Sequence, residues 1–165
     1  KFVTMKVGLY YDIFKLFTMQ HADIVEQALR ILDKVVIVLQ PPVGQDSISM
    51  YGMSAKIHKY YKDNPNVSVA IQITGSETLH DIRNEYNAEY TIHPVDHEYP
   101  KYMELCHDVD SDYKMQPLFF MHSESVRKYT SSWILQMHLN TRDLSDVIIA
   151  GQLPAHYSSI HFSEE

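Results

Sequence analysis

The stretch FTMQH, Phe17 to His21, places a hydroxyl and an imidazole three residues apart, between a short apolar run and an amphipathic helical pattern. At a helix start the first backbone N–H groups point outwards without helical partners, so a hydroxyl and a ring nitrogen there suit the handling of a phosphate. A second candidate is the pair Ser131 and Ser132, just ahead of the apolar positions Ile134, Leu135 and Leu139, where either serine could cap a helix. HPVDHE, 93 to 98, sets two histidines at i and i+4 with acids between them, a zinc spacing if helical. Pro94 argues against a regular helix, and the segment reads as a loop with solvated side chains. DVDSDY, 108 to 113, imitates the opening of a calcium loop, but Tyr113 stands where the loop needs glycine and Phe119 where it needs an acid. No metal site is expected. The single cysteine, Cys106, reads as a small buried apolar side chain.

The elements that must position these residues follow from periodicity. Phe2 to Tyr11 has the content of a buried strand, and Ile24, Ala28, Ile31 and Leu32 form an apolar helical face from His21 to about Asp33. KVVIVL, 34 to 39, reads as a second strand buried on both faces. Strand, helix and strand without a hairpin signal imply a crossover and a parallel sheet. QPPVGQD, 40 to 46, is a loop; Ser54 to Tyr61 a helix ended by DNPN; Val67 to Ile73 a third strand. Thr78 to Tyr86 reads as a helix, Glu89 to His93 as a strand, Pro100 to Val109 as a helix and 118 to 121 as a fifth strand. Helices are expected after the serine pair and after Pro154. The expectation is α/β: a single Rossmann-like domain over residues 1–165, with a parallel five-stranded sheet flanked by helices. In such a sheet ligands bind beyond the carboxyl ends of the strands.

Composition sets the boundaries. A chain of 165 residues, 45% apolar and 21% charged, is long enough to bury one core without disulfides. With 14 basic and 21 acidic residues the net charge is -7, which repels polyanions and argues against nucleic acid as a partner. A small phosphorylated ligand is compatible with a local basic cluster. The longest apolar run, Val35 to Leu39, is far short of the roughly 20 residues that span a bilayer, so no membrane insertion is expected. The opening residues do not resemble a signal peptide, and one cysteine fits a reducing intracellular compartment, mitochondrial or cytoplasmic. KYY, 59 to 61, with Tyr99 and Tyr102, is aromatic enough to mark a protein contact surface.

In order and spacing the chain resembles the nucleotidylyltransferase superfamily nearly end to end, and most closely the phosphopantetheine adenylyltransferases. LYYDI, 9 to 13, and TMQH, 18 to 21, stand where that family has G-S-F-D-P and T/H-x-G-H; HADIVEQALRILDKVVIVL is similar to its first helix and second strand. AEYTIHP stands where a strand ends in R-G, MEL at 103 to 105 resembles part of E-Y-E-L, and DLSD at 143 to 146 resembles D-V-S-x-L. FFMHSESVRKYTSSWIL resembles the fifth strand and the I-S-S-T-x-I-R segment. The resemblance implies attack of a substrate phosphate on the α-phosphorus of ATP, with Mg, and departure of pyrophosphate. Thr18 and His21 then match the catalytic motif, and Asp12, Ser131 and Ser132 the nucleotide-binding positions. Such chemistry rests on positioning and charge stabilisation, and so on cations, close-approach glycines and helix N-termini.

The departures fall on those requirements. Gln20 replaces the glycine of T/H-x-G-H; Leu9 and Tyr10 replace glycine and serine of the first loop; Ile13 replaces its proline; extra residues separate Asp12 from Thr18. QPPVGQDSIS lacks the lysine expected after the second strand, His93 and Pro94 stand at R-G, and Leu135 stands at the last basic position. Lys15, Arg127 and Lys128 are the cations on hand to replace them. The expectation is a catalytically degenerate adenylyltransferase-like protein without a cofactor, acting with other protein subunits as a structural or accessory part of a larger assembly. The alternatives are a divergent active phosphopantetheine adenylyltransferase and a non-catalytic module for a nucleotide or coenzyme A derivative.

Overall fold

The computed structural model describes residues 4–42, 48–73, 79–95 and 115–153. The expected helices at Pro100–Val109 and after Pro154 lie outside these residues, as do Cys106, His97, the acidic run at 108–113, and Tyr99 and Tyr102.

Five strands form one parallel sheet: β1 (Val7–Asp12), β3 (Lys34–Leu39), β4 (Val67–Ile71), β5 (Tyr90–Val95) and β6 (Gln116–Met121), in the order β4-β3-β1-β5-β6. The expected α/β fold with a parallel five-stranded sheet is observed. Interior strand β3 carries four consecutive β-branched residues, Val35 to Val38, and Val35 to Leu39 are at most 1% exposed, as a strand covered on both faces requires. Side chains alternate across the sheet. Tyr10, Val35, Ile37 and Leu39 meet Ile24, Val25 and Ala28 of α1 (Met19–Leu29), whereas Leu9, Val36 and Val38 meet Leu79 and Ile82 of α3 (Leu79–Tyr86). Helix α2 (Ile48–Tyr60) adds Met50 and Ile57 to the first layer. A third apolar cluster, Ile134, Leu144 and Val147 with Leu16 and Trp133, lies beneath α4 (Ser131–Leu139).

Strand β1 is the switch point: the chain steps from it to β3 and β4 on one side, then returns to place β5 and β6 on the other. β1 and β5 pair only at Gly8–Leu9 with Tyr90–Thr91, so the sheet parts above them, where an open α/β sheet leaves its crevice.

Several expectations need correcting. Helix α1 ends at Leu29, so Ile31 is off its buried face and 54% exposed. Helix α2 starts at Ile48, well before Ser54, and runs through Gly52. Strand β5 continues through Pro94 to Val95 and buries His93, which is neither helical nor a solvated loop residue; its Nε2 lies 2.8 Å from Thr91 Oγ1 between the rings of Tyr11 and Phe119. A small ribbon, β2 (Phe17–Thr18) antiparallel to β7 (Ile148–Ala150), has no counterpart in the sequence-based expectation.

Candidate functional site

The residues that extend the first loop are absorbed by this ribbon. Phe14 and Phe17 turn inward as core side chains, Thr18 pairs with Ile148, and the Met19 N–H donates to Val147 O at 2.9 Å. The start of α1 is thereby fixed against a segment far along the chain.

Thr18 caps α1. Its hydroxyl accepts from the Gln20 N–H at 3.3 Å, and its own N–H donates to His21 Nδ1 at 2.8 Å, a reciprocal capping box with imidazole in the place usual for glutamate or glutamine. The His21 ring is stacked on Phe17 at 5.3 Å and meets Phe14 edge-on at 5.2 Å. Burial among these rings, with a smaller contribution from His122, lowers its pKa to about 4. The ring is neutral at pH 7, and because Nδ1 accepts the Thr18 N–H, the ring proton is assigned to Nε2. His21 is thus an uncharged hydrogen-bond donor.

Gln20 reaches across from α1. Its Nε2 donates to Val126 O at 2.9 Å and Arg127 O at 3.2 Å. One and two turns further on, the same face continues the seam: Asp23 Oδ2 accepts from the Ser123 N–H at 2.8 Å, and Gln27 Nε2 donates to Met121 O at 2.7 Å. Burial acts to raise the Asp23 pKa, but the Ser123 and Gln27 hydrogen bonds outweigh it and hold the carboxyl below the usual range. Three side chains therefore fasten α1 to the segment leading from β6 to α4.

That segment ends at Thr130, which caps α4 by accepting from the Trp133 N–H at 3.2 Å. Ser131 and Ser132, expected as possible caps, are instead the first two residues inside the helix and are exposed. Arg127 turns back, its Nε donating to His122 O at 3.0 Å, and the Lys128 ammonium lies 5.3 Å over the Tyr129 ring.

A cleft of about 670 Å³ joins Asp12, Lys15, Thr18, Gln20, His21, Ser131, Ser132 and Leu135. Arg127 and Lys128 do not line it, leaving Lys15 as its one cationic side chain among the described residues. Protein atoms around the Asp12 carboxyl raise its pKa, partly offset by the Ile13 N–H that it accepts at 2.7 Å. A second cleft of about 530 Å³ shares Lys15 and lies between the ends of β1 and β3 and helix α2. Among the described residues no three histidine, cysteine or acidic side chains gather as metal ligands, and no helix is long and apolar enough to cross a membrane. The larger cleft thus presents two helix starts, a neutral imidazole, the hydroxyls of Thr18, Tyr129, Ser131 and Ser132, the Asp12 carboxyl and one ammonium. That set can hydrogen-bond an anion but supplies little positive charge. Sequence reasoning missed Thr130 and the seam of Gln20, Asp23 and Gln27; their i, i+3, i+7 spacing on one face of α1 was the available signal.

No family profile matches the sequence, and no curated protein matches it. Among solved structures, a protein assigned as a nicotinate-nucleotide adenylyltransferase from Vibrio parahaemolyticus is similar at a TM-score of 0.59, with 12% identity over 88% of each chain. A bifunctional NMN adenylyltransferase/ADP ribose pyrophosphatase from Francisella tularensis is similar at 0.55, with 7% identity over 90% of this chain and 46% of that one. NadR protein, solved with NR, is similar at 0.52, with 13% identity over 90% of this chain and 44% of its own. The chain spans about half the length of these last two proteins. At such identities the likeness is one of architecture: the chain has the Rossmann-like α/β fold that these adenylyltransferase structures share.

Proposed function

We propose that this chain is a catalytically silent version of the adenylyltransferase fold, serving as a structural or accessory subunit of a larger assembly. The observation that carries this reading is the Gln20 amide. It stands where the resembling family has a close-approach glycine, and it ties the start of α1 to the carbonyls of Val126 and Arg127 ahead of α4. A triphosphate laid between the two helix starts would have to displace it. Two of the cations on hand to replace the missing ones are committed elsewhere, Arg127 on the His122 carbonyl and Lys128 on the Tyr129 ring. Removing a single well-placed donor from a charged transition state costs roughly 100- to 1,000-fold in rate, so several losses together leave little catalysis. Tyr51 and Tyr60 on α2, 55% and 49% exposed, offer the kind of aromatic surface that contacts between subunits use.

Calorimetry with ATP and Mg, followed by nicotinate mononucleotide or 4'-phosphopantetheine as acceptor, tests the silent reading. The expected outcome is no saturable ATP heat and no pyrophosphate; binding of nucleotide and acceptor with pyrophosphate release overturns it. Native-size measurement of the protein from its source tests the accessory role, which a free monomer would contradict. One observation favours a second reading, a nucleotide-binding module without turnover: His21, Ser131 and Ser132 do share one cleft. ATP binding without pyrophosphate release would select it.

A further inference from the structure

The 530 Å³ cleft differs in character from the one around His21. Its floor is apolar, built from Phe14, Leu39, Met50 and Met53, and methionine surfaces adapt to the shape of what they bind. Two lysines, Lys15 and Lys56, stand on its rim, and neither is engaged by a carboxylate among the described residues. In a chain of net charge -7, the described lining residues include two lysines and no acid, a local reversal of sign among them. Its wall holds a third feature. Gly52 lies inside α2, where glycine weakens a helix, yet a Cβ added there would meet nothing within 4 Å. Internal packing therefore does not require glycine. What the missing side chain leaves is bare helix backbone facing the cleft, one turn from Lys56 on the same helix face, as glycine does where another backbone passes close by. Across the cleft, the turn after β7 presses Gly151, at φ +95, so close to Lys15 O that a Cβ would sit 2.8 Å from it; the Lys15 loop is thus backed by the ribbon.

We propose that this cleft is a docking groove for an acidic segment of a partner protein. The segment would lay its backbone along Gly52, place an apolar side chain over Met50 and Met53, and set carboxylates against Lys15 and Lys56. The proposal rests on the accessory-subunit reading and gives its partner a chemistry: complementary charge at the rim and an apolar anchor at the centre.

Panning the whole chain against a random short-peptide library tests it. Enriched peptides are expected to be acidic with an aromatic or aliphatic anchor, and their synthetic versions to shift the isotope-labelled methyl signals of Met50 and Met53 saturably. Lys15→Ala with Lys56→Ala should weaken them at least about tenfold. Gly52→Leu should abolish binding; Gly52→Ala should raise the melting temperature by about 2–4 °C while weakening the peptide, separating groove from fold. If Gly52→Leu fails to fold, the double lysine variant still decides. No enrichment, enrichment of neutral or basic peptides, or indifference to the lysine variant overturns the proposal. So does a saturable shift by octyl phosphate without any enriched peptide, which assigns the cleft to a small anionic amphiphile. Pyrophosphate release in the ATP experiment would end the silent reading and leave these outcomes untouched.

Discussion

An imidazole at the third position of α1 takes the place of a carboxylate or amide in a capping box, and this makes the helix start sensitive to acid. The folded pKa of His21, about 4, lies below its ordinary value of 6.5, so the unfolded chain binds the proton first as pH falls. The sign follows: above pH 6.5 the residue does not change stability, between 6.5 and about 4 stability falls, and below that the loss levels off at on the order of 3 kcal/mol. His21→Gln keeps an acceptor for the Thr18 N–H but cannot titrate. Denaturant unfolding at several pH values should therefore show a shallower acid slope in His21→Gln than in the parent; equal slopes would disprove the assignment. At this scale the sequence was partly legible. TMQH announced a helix start, but Nδ1 turned back onto the Thr18 N–H, and a ring wedged between Phe14 and Phe17, depend on a loop whose path is fixed by residues 148–150.

Helix starts and the seam between them supply the next set of outcomes. Thr130→Ala removes the α4 cap and should cost about 1 kcal/mol, whereas Ser131→Ala and Ser132→Ala, exposed inside the first turn, should stay within about 0.5 kcal/mol. Thermal unfolding of the three variants checks the order, and a larger loss at either serine would contradict it. Strand β3 was legible because Val35 to Val38 is an unbroken β-branched run, extended by Leu39, of the kind a doubly covered strand carries. Helix α2 was misplaced because Gly52 and a weak apolar stripe hid its first turn. The strand expected over Glu89 to His93 was ended too early because Pro94 suggested a break, whereas the sheet carries β5 through it to Val95. The β2–β7 ribbon left no periodic signature, since two and three residues are too few to alternate.

For the molecule as a whole, stability should be graded outward from β3. Its amides, between β1 and β4 and beneath both helical layers, should exchange with deuterium only on global unfolding, while those of β2 and β7 should exchange earlier through local opening. Ile37→Ala, at the fully buried centre, should cost 2–5 kcal/mol or about that. Hydrogen exchange on parent and variant checks both, and early exchange in β3 would refute the ranking. The ribbon also orders events in time. A ribosome delivers β1 to β6, and the apolar layers they bury, before it delivers Ile148 to Ala150. The strand partner of Phe17 and Thr18 thus arrives after every other described strand, and a chain released before Ile148 would hold all five strands of the sheet with the wall of its clefts still unfinished.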